Sequence, residues 1–270
     1  MSAASTKPVI TFEGVRMGFE EGEVLRGVSF QVAPRETKVL VGETGAGKTL
    51  LLKLAAGLLR PDAGRVEVLG RDVTGMTEEE LLDFRRQMGV VFQEGALFDS
   101  LTVAENVAFR LQEEGMDEEV IEGRVREALR FVEMEHALEK LPGELSGGMR
   151  RRVAIARALV SGPEIVLYDS PTAGLDPVTA QTIIILILRL RDAHGVTALL
   201  ATHRLQDAFA LANYRFDAGS GRVLPAEPDG AATQHSATNL LVLRDGSVYF
   251  QGGAKEILDS GDAYLKRFLV

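Results

Sequence analysis

The sequence predicts an α/β fold, because apolar strand patterns and helical patterns follow one another closely along the chain. Two observations carry this prediction. The apolar strand KVLVG ends at Gly42, and the segment TLLLKLAAGLL at residues 49–59 is rich in helix-forming residues. A second apolar strand, IVLYD, ends at Asp169.

Further elements can be placed in order around this unit. VITFEGV at 9–15 and VLRGVSFQV at 24–32 are predicted strands that precede KVLVG. The helix at 49–59 should end before RPDAG at 60–64, which is a turn signal. RVEVLG at 65–70 is predicted to be another strand. The N-terminal part of the chain is therefore rich in strands.

The middle of the chain, from about 77 to 131, is charged and helical. In its second Glu-rich segment, Val120, Val125, Leu129 and Val132 recur at a spacing that can place them on one buried face. The acidic residues then remain in water, as on an ordinary solvated helix face. We predict a helical subdomain over about 94–160.

The C-terminal part combines a loop with two strands. Gly, Ala, Ser and Pro crowd residues 218–238, which predicts an exposed loop; insertion is favoured over a partner-binding role because polar loops lengthen at little cost in free energy. NLLVLRDGSVYFQG then predicts a hairpin with its turn at Asp245 and Gly246. We expect residues 1–270 to form a single domain.

Composition narrows the classes of function. The 270 residues are 46% hydrophobic and include no Cys, so the chain can bury a core without disulfides and is most simply placed in the cytosol. The net charge of −9 argues against nucleic acid and against direct capture by an anionic membrane. No stretch is long and apolar enough to be a signal peptide or a membrane span. Action at a membrane would therefore require docking to another chain.

The segment GETGAGKT at 42–49 fits the phosphate-loop pattern G-x-x-x-x-G-K-[ST]. It lies between a strand and a helix, where backbone N–H groups and the helix N-terminus can hold phosphate oxygens. Lys48 would reach the β- and γ-phosphates, and Thr49 would ligate Mg²⁺. An ordinary glycine turn before a helix is the alternative, but the position of the motif strongly favours nucleotide binding.

Two further segments strengthen this interpretation. Asp169, at the end of a strand, is placed to hold Mg²⁺ through water. LSGGM at 145–149 opens a helix in which apolar residues recur at helical spacing; Ser146 can cap that helix, and Gly147 and Gly148 leave its N–H groups bare. A plain N-cap is the alternative for Ser146. Two helix N-termini could therefore bind phosphate.

These motifs together resemble the nucleotide-binding subunits of ATP-binding cassette (ABC) transporters over nearly the whole chain. The resemblance implies a P-loop NTPase of ABC type, with a mixed β core, an α-helical subdomain and an antiparallel β subdomain. It implies ATP and Mg²⁺ as cofactors. The nucleotide is expected to contact Phe19, Gly42, Glu43, Thr44, Gly45, Ala46, Gly47, Lys48, Thr49, Leu50, Ser146, Gly147, Gly148 and Asp176. The magnesium ion is expected at Thr49, Gln93 and Asp169.

The resemblance also implies individual roles. Phe19 resembles the aromatic that stacks on adenine, although a core Phe is the alternative. Gln93 resembles the glutamine that contacts Mg²⁺ and the attacking water, and His203 resembles the switch histidine near the γ-phosphate; a surface amide and a structural histidine are the alternatives. The segment AGLD, which ends at Asp176, resembles the loop that couples two subunits. Asp176, followed by Pro177, also suits a helix start.

In this family two subunits pack head to tail, so the resemblance implies a homodimer that closes on ATP and moves transmembrane permease subunits. LSGGM, GETGAGKT and FQEGALFDSLTVAENVAF are similar to Mla/Mce-type ATPases. That similarity implies phospholipid transport between bacterial membranes, at the cytoplasmic face of the inner membrane, with an Mce-type substrate-binding protein and a small accessory subunit. A transporter for an amino acid or a drug is the alternative.

Ser170 departs from the family pattern, which places a glutamate general base directly after the aspartate. A serine hydroxyl cannot accept the proton of the attacking water at neutral pH. The catalytic set is then Ser170, His203 and Gln93, with turnover in doubt. Three explanations follow: slow hydrolysis, an ATP-gated clamp with negligible turnover, or a serine introduced to trap the bound state. Glu94 is a candidate substitute base, although a surface acid is the better interpretation.

Overall fold

The computed structural model describes residues 7–226 and 238–267. Within these residues, the central sheet has six strands in the order β12-β11-β3-β8-β7-β6, and all neighbours are parallel except the edge pair of β11 and β12. Its strands are β3 (Thr37–Val41), β6 (Met88–Val91), β7 (Ile165–Asp169), β8 (Thr197–Thr202), β11 (Thr238–Arg244) and β12 (Ser247–Gly252). Strands β3, β7 and β8 are almost wholly buried, as apolar parallel strands covered on both faces must be.

A second sheet is antiparallel and has the order β2-β1-β4-β5. Its strands are β1 (Ile10–Phe19), β2 (Gly22–Val32), β4 (Ala63–Val68) and β5 (Arg71–Asp72). Phe12 and Phe30 stack across β1 and β2 with ring centroids 4.6 Å apart. A parallel sheet beside an antiparallel one confirms the predicted mixed β architecture.

Helices surround the central sheet. They are α1 (Lys48–Ala55), α2 (Glu78–Arg85), α3 (Val103–Glu113), α4 (Glu118–Phe131), α5 (Gly147–Leu159), α6 (Pro177–His194), α7 (Leu205–Asn213), α8 (Ala254–Asp259) and α9 (Ala263–Arg267). Helices α3, α4 and α5 pack on one another, and all three lie within the predicted helical range of 94–160. Among the described residues, none of these helices is both long enough and apolar enough to cross a bilayer.

Three sequence predictions need correction in detail. Helix α1 ends at Ala55 rather than Leu59, because Gly57 adopts a left-handed conformation with φ of 63°. On α4 the side chain of Val120 is exposed, and Ile121 takes its predicted place on the buried face. In the predicted loop at 218–238, residues Arg222–Pro225 form a strand, β10, paired with β9 (Tyr214–Asp217).

Residues 227–237 of that loop lie outside the described residues, and its origin as an insertion stays a prediction. The predicted hairpin between β11 and β12 is present. Asp245 and Gly246 both have positive φ, 50° and 76°, which suits a two-residue turn between twisted strands.

Candidate functional site

The site lies at the carboxyl ends of three adjacent parallel strands. β3 leads into the glycine-rich loop, β7 ends at Asp169, and β8 ends just before His203. Since β8 lies between β3 and β7 in the sheet, these three chain segments meet at one edge. Ligand sites of open α/β sheets form at this edge.

The glycine-rich loop is held by its own lysine. Lys48 Nζ donates hydrogen bonds to the carbonyl oxygens of Gly42 at 2.8 Å and Glu43 at 2.7 Å. Burial lowers the pKa of Lys48 from its ordinary value, and the nearby charge of Asp169 opposes that shift. The lysine therefore sits inside the loop with its ammonium group hydrogen-bonded to two carbonyl oxygens, and an anion in the loop would replace those contacts.

Helix α1 begins at Lys48 without a side-chain cap. Its N-cap is Gly47, with φ of 93°, and no side chain accepts a hydrogen bond from the first turn. A Cβ at Gly47 would lie 2.5 Å from Leu25 Cδ2, so this position has no room for a larger residue. The first-turn N–H groups, left without helical partners, can therefore bind an anion.

Thr49 and Asp169 are in contact across the site. Thr49 Oγ1 lies 3.2 Å from Asp169 Oδ1. A hydroxyl oxygen beside a carboxylate oxygen is a donor set that suits Mg²⁺, which takes oxygen ligands and usually only one or two carboxylates beside substrate phosphates. These two residues therefore fit the metal ion that the sequence predicts.

A cavity of about 380 Å³ gathers residues from all three strand ends. Its lining residues are Val24, Thr44, Gly45, Gly47, Lys48, Thr49, Leu50, Gln93, Ser170 and His203. Gln93, Ser170 and His203 come from separate parts of the sequence, and the structure brings them to the same cavity as the loop. Val24 was not predicted, because an apolar residue on an alternating strand carries no signal of a site.

Ser170 occupies a strained backbone position. Its φ is 47°, a left-handed conformation that non-glycine residues seldom adopt. Its N–H donates to the Ala201 carbonyl at 2.8 Å, and its Oγ lies 3.4 Å from Asp169 Oδ1. The side chain is thus fixed beside the aspartate at the cavity wall. Among the described residues lining the cavity, none is a carboxylate, and Glu94 lies outside it with an exposed side chain.

The other predicted contacts lie outside this cavity. Phe19 ends β1 and is 54% exposed, which rules out the alternative of a core Phe but does not place it on the cavity wall. Hydrogen bonds within the loop involve three more of these residues. The carbonyls of Gly42 and Glu43 accept from Lys48, and Ala46 N–H donates to Glu43 O at 3.2 Å.

The LSGGM segment forms a separate surface with Asp176. Ser146 is the N-cap of α5, and its Oγ accepts a hydrogen bond of 3.3 Å from Met149 N–H. Asp176 caps α6 through two 3.0 Å bonds from Val178 and Thr179 N–H. A hydrogen bond from the Thr179 side chain, together with these backbone bonds, lowers the pKa of Asp176. A Cβ at Gly148 would lie 2.3 Å from Thr179 Cγ2, so the two helix starts pack closely. Ser146, Gly147, Gly148 and Asp176 do not line the cavity of their own chain.

Comparisons with known proteins agree with this geometry. A family model described as ABC transporter matches residues 25–173. A methionine import ATP-binding protein, MetN, of Brucella abortus is 38% identical over 202 residues, covering 75% of this chain and 55% of the relative. A spermidine/putrescine import ATP-binding protein, PotA, of Photobacterium profundum is 35% identical over 262 residues, covering 96% of this chain and 68% of the relative. The chain thus spans only a little over half the length of the first curated relative.

Solved structures show the same fold. A post-hydrolysis dimer of the ATP-binding cassette MJ0796, bound to ADP and Pi, superimposes with a TM-score of 0.75 at 28% identity, covering 90% of this chain and 98% of the other. CbiO1 of Clostridium perfringens, part of the transporter complex cbiONQ, gives a TM-score of 0.78 at 26% identity, with 97% and 95% covered.

Proposed function

Since the chain belongs to the ABC transporter family of ATP-binding proteins, we propose that it is the ATP-binding subunit of such a transporter and that its cavity holds the phosphates of ATP. One observation carries this proposal. A single cavity combines an uncapped helix N-terminus, a buried lysine, Gln93, Ser170 and His203. Anion-binding groups and water-positioning groups thus face the same space.

Each side chain has a distinct task in this proposal. Lys48 exchanges the carbonyls of Gly42 and Glu43 for phosphate oxygens, while the amides of the loop bind the remaining oxygens. Thr49 and Asp169 would hold Mg²⁺, which when bound would supply positive charge beside the phosphates. Gln93 and His203 orient the water that attacks the γ-phosphate. Phe19, exposed at the end of β1, stacks on the adenine ring.

The complete site needs a second copy of the chain. Ser146, Gly147, Gly148 and Asp176 lie on a different surface from the cavity, so they can reach the nucleotide only on a partner subunit. We therefore propose a head-to-tail homodimer with two nucleotides between the subunits. The dimeric form of the cassette MJ0796, which shares this fold, supports such an assembly.

The proposed assembly includes transmembrane permease subunits, with this chain at the inner face of the inner membrane. The cargo is best judged from the relatives, whose names specify import of methionine and of spermidine or putrescine. The similarity to phospholipid-transporting Mla/Mce ATPases, and with it an Mce-type or accessory partner, finds no support among these relatives and stays a prediction. Import of a small polar solute is the function the relatives favour.

Ser170 sets the rate of ATP hydrolysis in this proposal. Without a carboxylate to accept the proton of the attacking water, the chemical step should be slower by on the order of 10²–10⁴. Nucleotide binding does not need that carboxylate. The alternative of an ATP-gated clamp with negligible turnover is favoured by one specific observation: Ser170, and not a second carboxylate beside Asp169, stands at the wall of the described cavity.

Phosphate release by the full chain tests the proposal and separates these alternatives. We expect wild-type protein to bind Mg-ATP with little release, and Ser170→Glu to raise the release rate on the order of 10²-fold or more. Lys48→Ala in the Ser170→Glu background is the control for release by contaminating enzymes.

The outcomes are distinct. Measurable release by the wild type that Lys48→Ala abolishes would support a slow transport ATPase, and tight Mg-ATP binding with no release would support the clamp. A Ser170→Glu variant that binds Mg-ATP but releases phosphate no faster than the wild type would overturn the role given to Ser170. Absence of Mg-ATP binding by the wild type would overturn the proposal as a whole.

A further inference from the structure

Three consecutive arginines follow the LSGGM segment, and the middle one is buried. Arg151 is 5% exposed, whereas Arg150 and Arg152 on either side of it are half-buried. Arginine is almost never fully buried unless its guanidinium is paired. The contacts of Arg151 should therefore show what the buried guanidinium does.

Arg151 joins two loops of the proposed ATP site. Its Nη1 donates a 2.6 Å hydrogen bond to the carbonyl of Phe92, the residue before Gln93. Its Nη2 donates a 3.4 Å hydrogen bond to the carbonyl of Ala173, in the segment that follows Ser170. The planar guanidinium thus contacts the backbone of two segments, the one that carries Gln93 and the one that follows Ser170.

These contacts are poor compensation for a buried charge. Burial lowers the pKa of Arg151, and the charges of Glu94 and Asp169 only partly oppose that shift. Within the described chain Arg151 forms no salt bridge, and its Nε is buried without a partner. Replacing a buried, incompletely paired charge by a neutral group is often neutral or stabilising. Arg151 is therefore poorly explained as a contribution to stability alone.

We propose that Arg151 is a positioning residue that holds the Gln93 loop and the segment after Ser170 in fixed register. Gln93 has no regular secondary structure of its own to fix it, since β6 ends at Val91. The hydrogen bond to Phe92 O supplies that support one residue before the functional amide. The second bond ties the same support to the loop that carries Ser170.

The position of Arg151 on α5 extends this role to the dimer. α5 begins at Gly147, so Arg151 lies about one helical turn from the segment that would contact the partner's nucleotide. A shift of the start of α5 when the dimer closes would move the guanidinium and, with it, the Gln93 loop. This step rests on the proposed function, because the register of the two loops matters for turnover only if ATP enters the cavity.

The neighbouring arginine provides a matched control. Arg152 Nη1 donates a 3.4 Å bond to Val132 O, away from both loops. Arg151→Gln and Arg152→Gln therefore remove the same charge from adjacent positions of one helix. Arg151→Lys keeps the charge but loses the planar fork that can reach two carbonyls at once.

Amide hydrogen exchange of the full chain without nucleotide is the first measurement. Arg151→Gln should speed exchange several-fold at residues 92–95 and 171–175 while leaving α5 protected, and Arg152→Gln should not. The melting temperature of Arg151→Gln should stay within about 4 °C of the parent, since an incompletely paired buried charge is removed. Unchanged exchange in both loops would overturn the proposal, whatever the protein does with ATP.

Phosphate release in the Ser170→Glu background is the second measurement. Arg151→Gln should lower kcat by about tenfold to a hundredfold with KM changed less than about threefold, because misplaced groups slow chemistry more than they weaken binding. The kcat of Arg151→Lys should lie between that of Arg151→Gln and that of the parent. The kcat of Arg152→Gln should match that of the parent. Equal kcat for the two Gln variants would contradict the inference, whereas a parent that binds no Mg-ATP would contradict the proposed function instead.

Discussion

Two groups of site residues differ in how the N–H groups at their helix N-termini are capped. We call residues 42–50 with Gln93, Asp169, Ser170 and His203 the pocket half-site, and residues 145–149 with Asp176 the signature half-site. In the pocket half-site, α1 has no side-chain cap and its lysine is bound only to carbonyls. In the signature half-site, Ser146 and Asp176 already cap α5 and α6.

This difference implies an order of events. An uncapped helix with a buried cation gains the most from an incoming anion, so the pocket half-site should bind nucleotide in a single chain. The signature half-site has fewer unsatisfied groups and should add to binding only when the nucleotide is already held by a partner subunit. Variants in the two half-sites should therefore fail in different ways.

The largest expected effect is on the pocket half-site. Lys48→Ala should weaken Mg-ATP affinity by about a hundredfold or more, since it removes a charged donor from the phosphates. Titration calorimetry of the full chain measures this. Lys53→Ala, an exposed lysine on the same helix, is the control and should bind like the wild type. Near-normal Mg-ATP affinity of Lys48→Ala would contradict nucleotide binding at the pocket half-site.

Ser146→Asp should separate the two half-sites. An aspartate can still cap α5, but it places a negative charge where the partner's triphosphate would lie. We expect Mg-ATP-dependent dimerisation to weaken by about tenfold or more, while the affinity of the single chain changes less than about threefold. Sedimentation velocity with calorimetry measures both. Ser146→Thr keeps the hydroxyl cap and should dimerise normally; equal dimerisation by Ser146→Asp would contradict the composite site.

Phe19→Ala should have a smaller effect on the pocket half-site. Aromatic stacking contributes about 0.5–1.5 kcal/mol beyond area burial, so ATP affinity should fall by roughly two- to tenfold. Phe19→Tyr should retain the affinity, and binding of inorganic triphosphate, which lacks the base, should be equal in all three proteins. A loss of triphosphate binding by Phe19→Ala would show that the residue acts through the fold rather than on adenine.

The smallest expected effect concerns Asp207, a buried carboxyl beside the segments that carry Ser170 and His203. Asp207 is 4% exposed, accepts hydrogen bonds from the hydroxyls of Thr172 and Thr202, and has a raised pKa because burial disfavours its charge. A raised carboxyl pKa means that the folded protein binds the proton more tightly, so stability falls as pH rises from about 4 through the folded pKa.

The Asp207→Asn variant has no carboxyl at this position that could titrate, so it should lack this dependence of stability on pH. We expect the melting temperature of the wild type, minus that of Asp207→Asn, to grow by about 2–4 °C as pH falls from 7 to 4. Differential scanning calorimetry across that range measures it. A difference that stays constant, or shrinks on acidification, would contradict the raised pKa.

Within the pocket half-site, the strand, phosphate loop and helix could be predicted from sequence alone because they are contiguous in the chain. The phosphate loop fixes a strand, a loop and a helix within a dozen residues, and the structure reproduces that order. Gln93, Ser170 and His203 could be assembled only because a family resemblance supplied the long-range arrangement. Spacing in the sequence could not show that they share a cavity, since β6, β7 and β8 are brought together by the sheet.

Other features escaped prediction for physical reasons. Val24 and Arg151 look like an ordinary strand residue and one arginine in a run. Only the folded chain distinguishes them, because Val24 lines the cavity and Arg151 is buried. The prediction that Val120 lies on the buried face of α4 is wrong, because Ile121, four residues before Val125, fits the helical period and is buried instead. The strand at 222–225 lies between turn-forming residues, whose composition hid it.

The composite site is tested most directly by the mass of the full chain in solution, measured by light scattering during gel filtration. Because Ser170 slows hydrolysis, the account predicts that saturating Mg-ATP converts the wild-type chain from one-chain to two-chain mass, and that Ser146→Asp stays at one-chain mass with nucleotide bound. A wild-type chain that remains at one-chain mass while saturated with Mg-ATP would contradict the account.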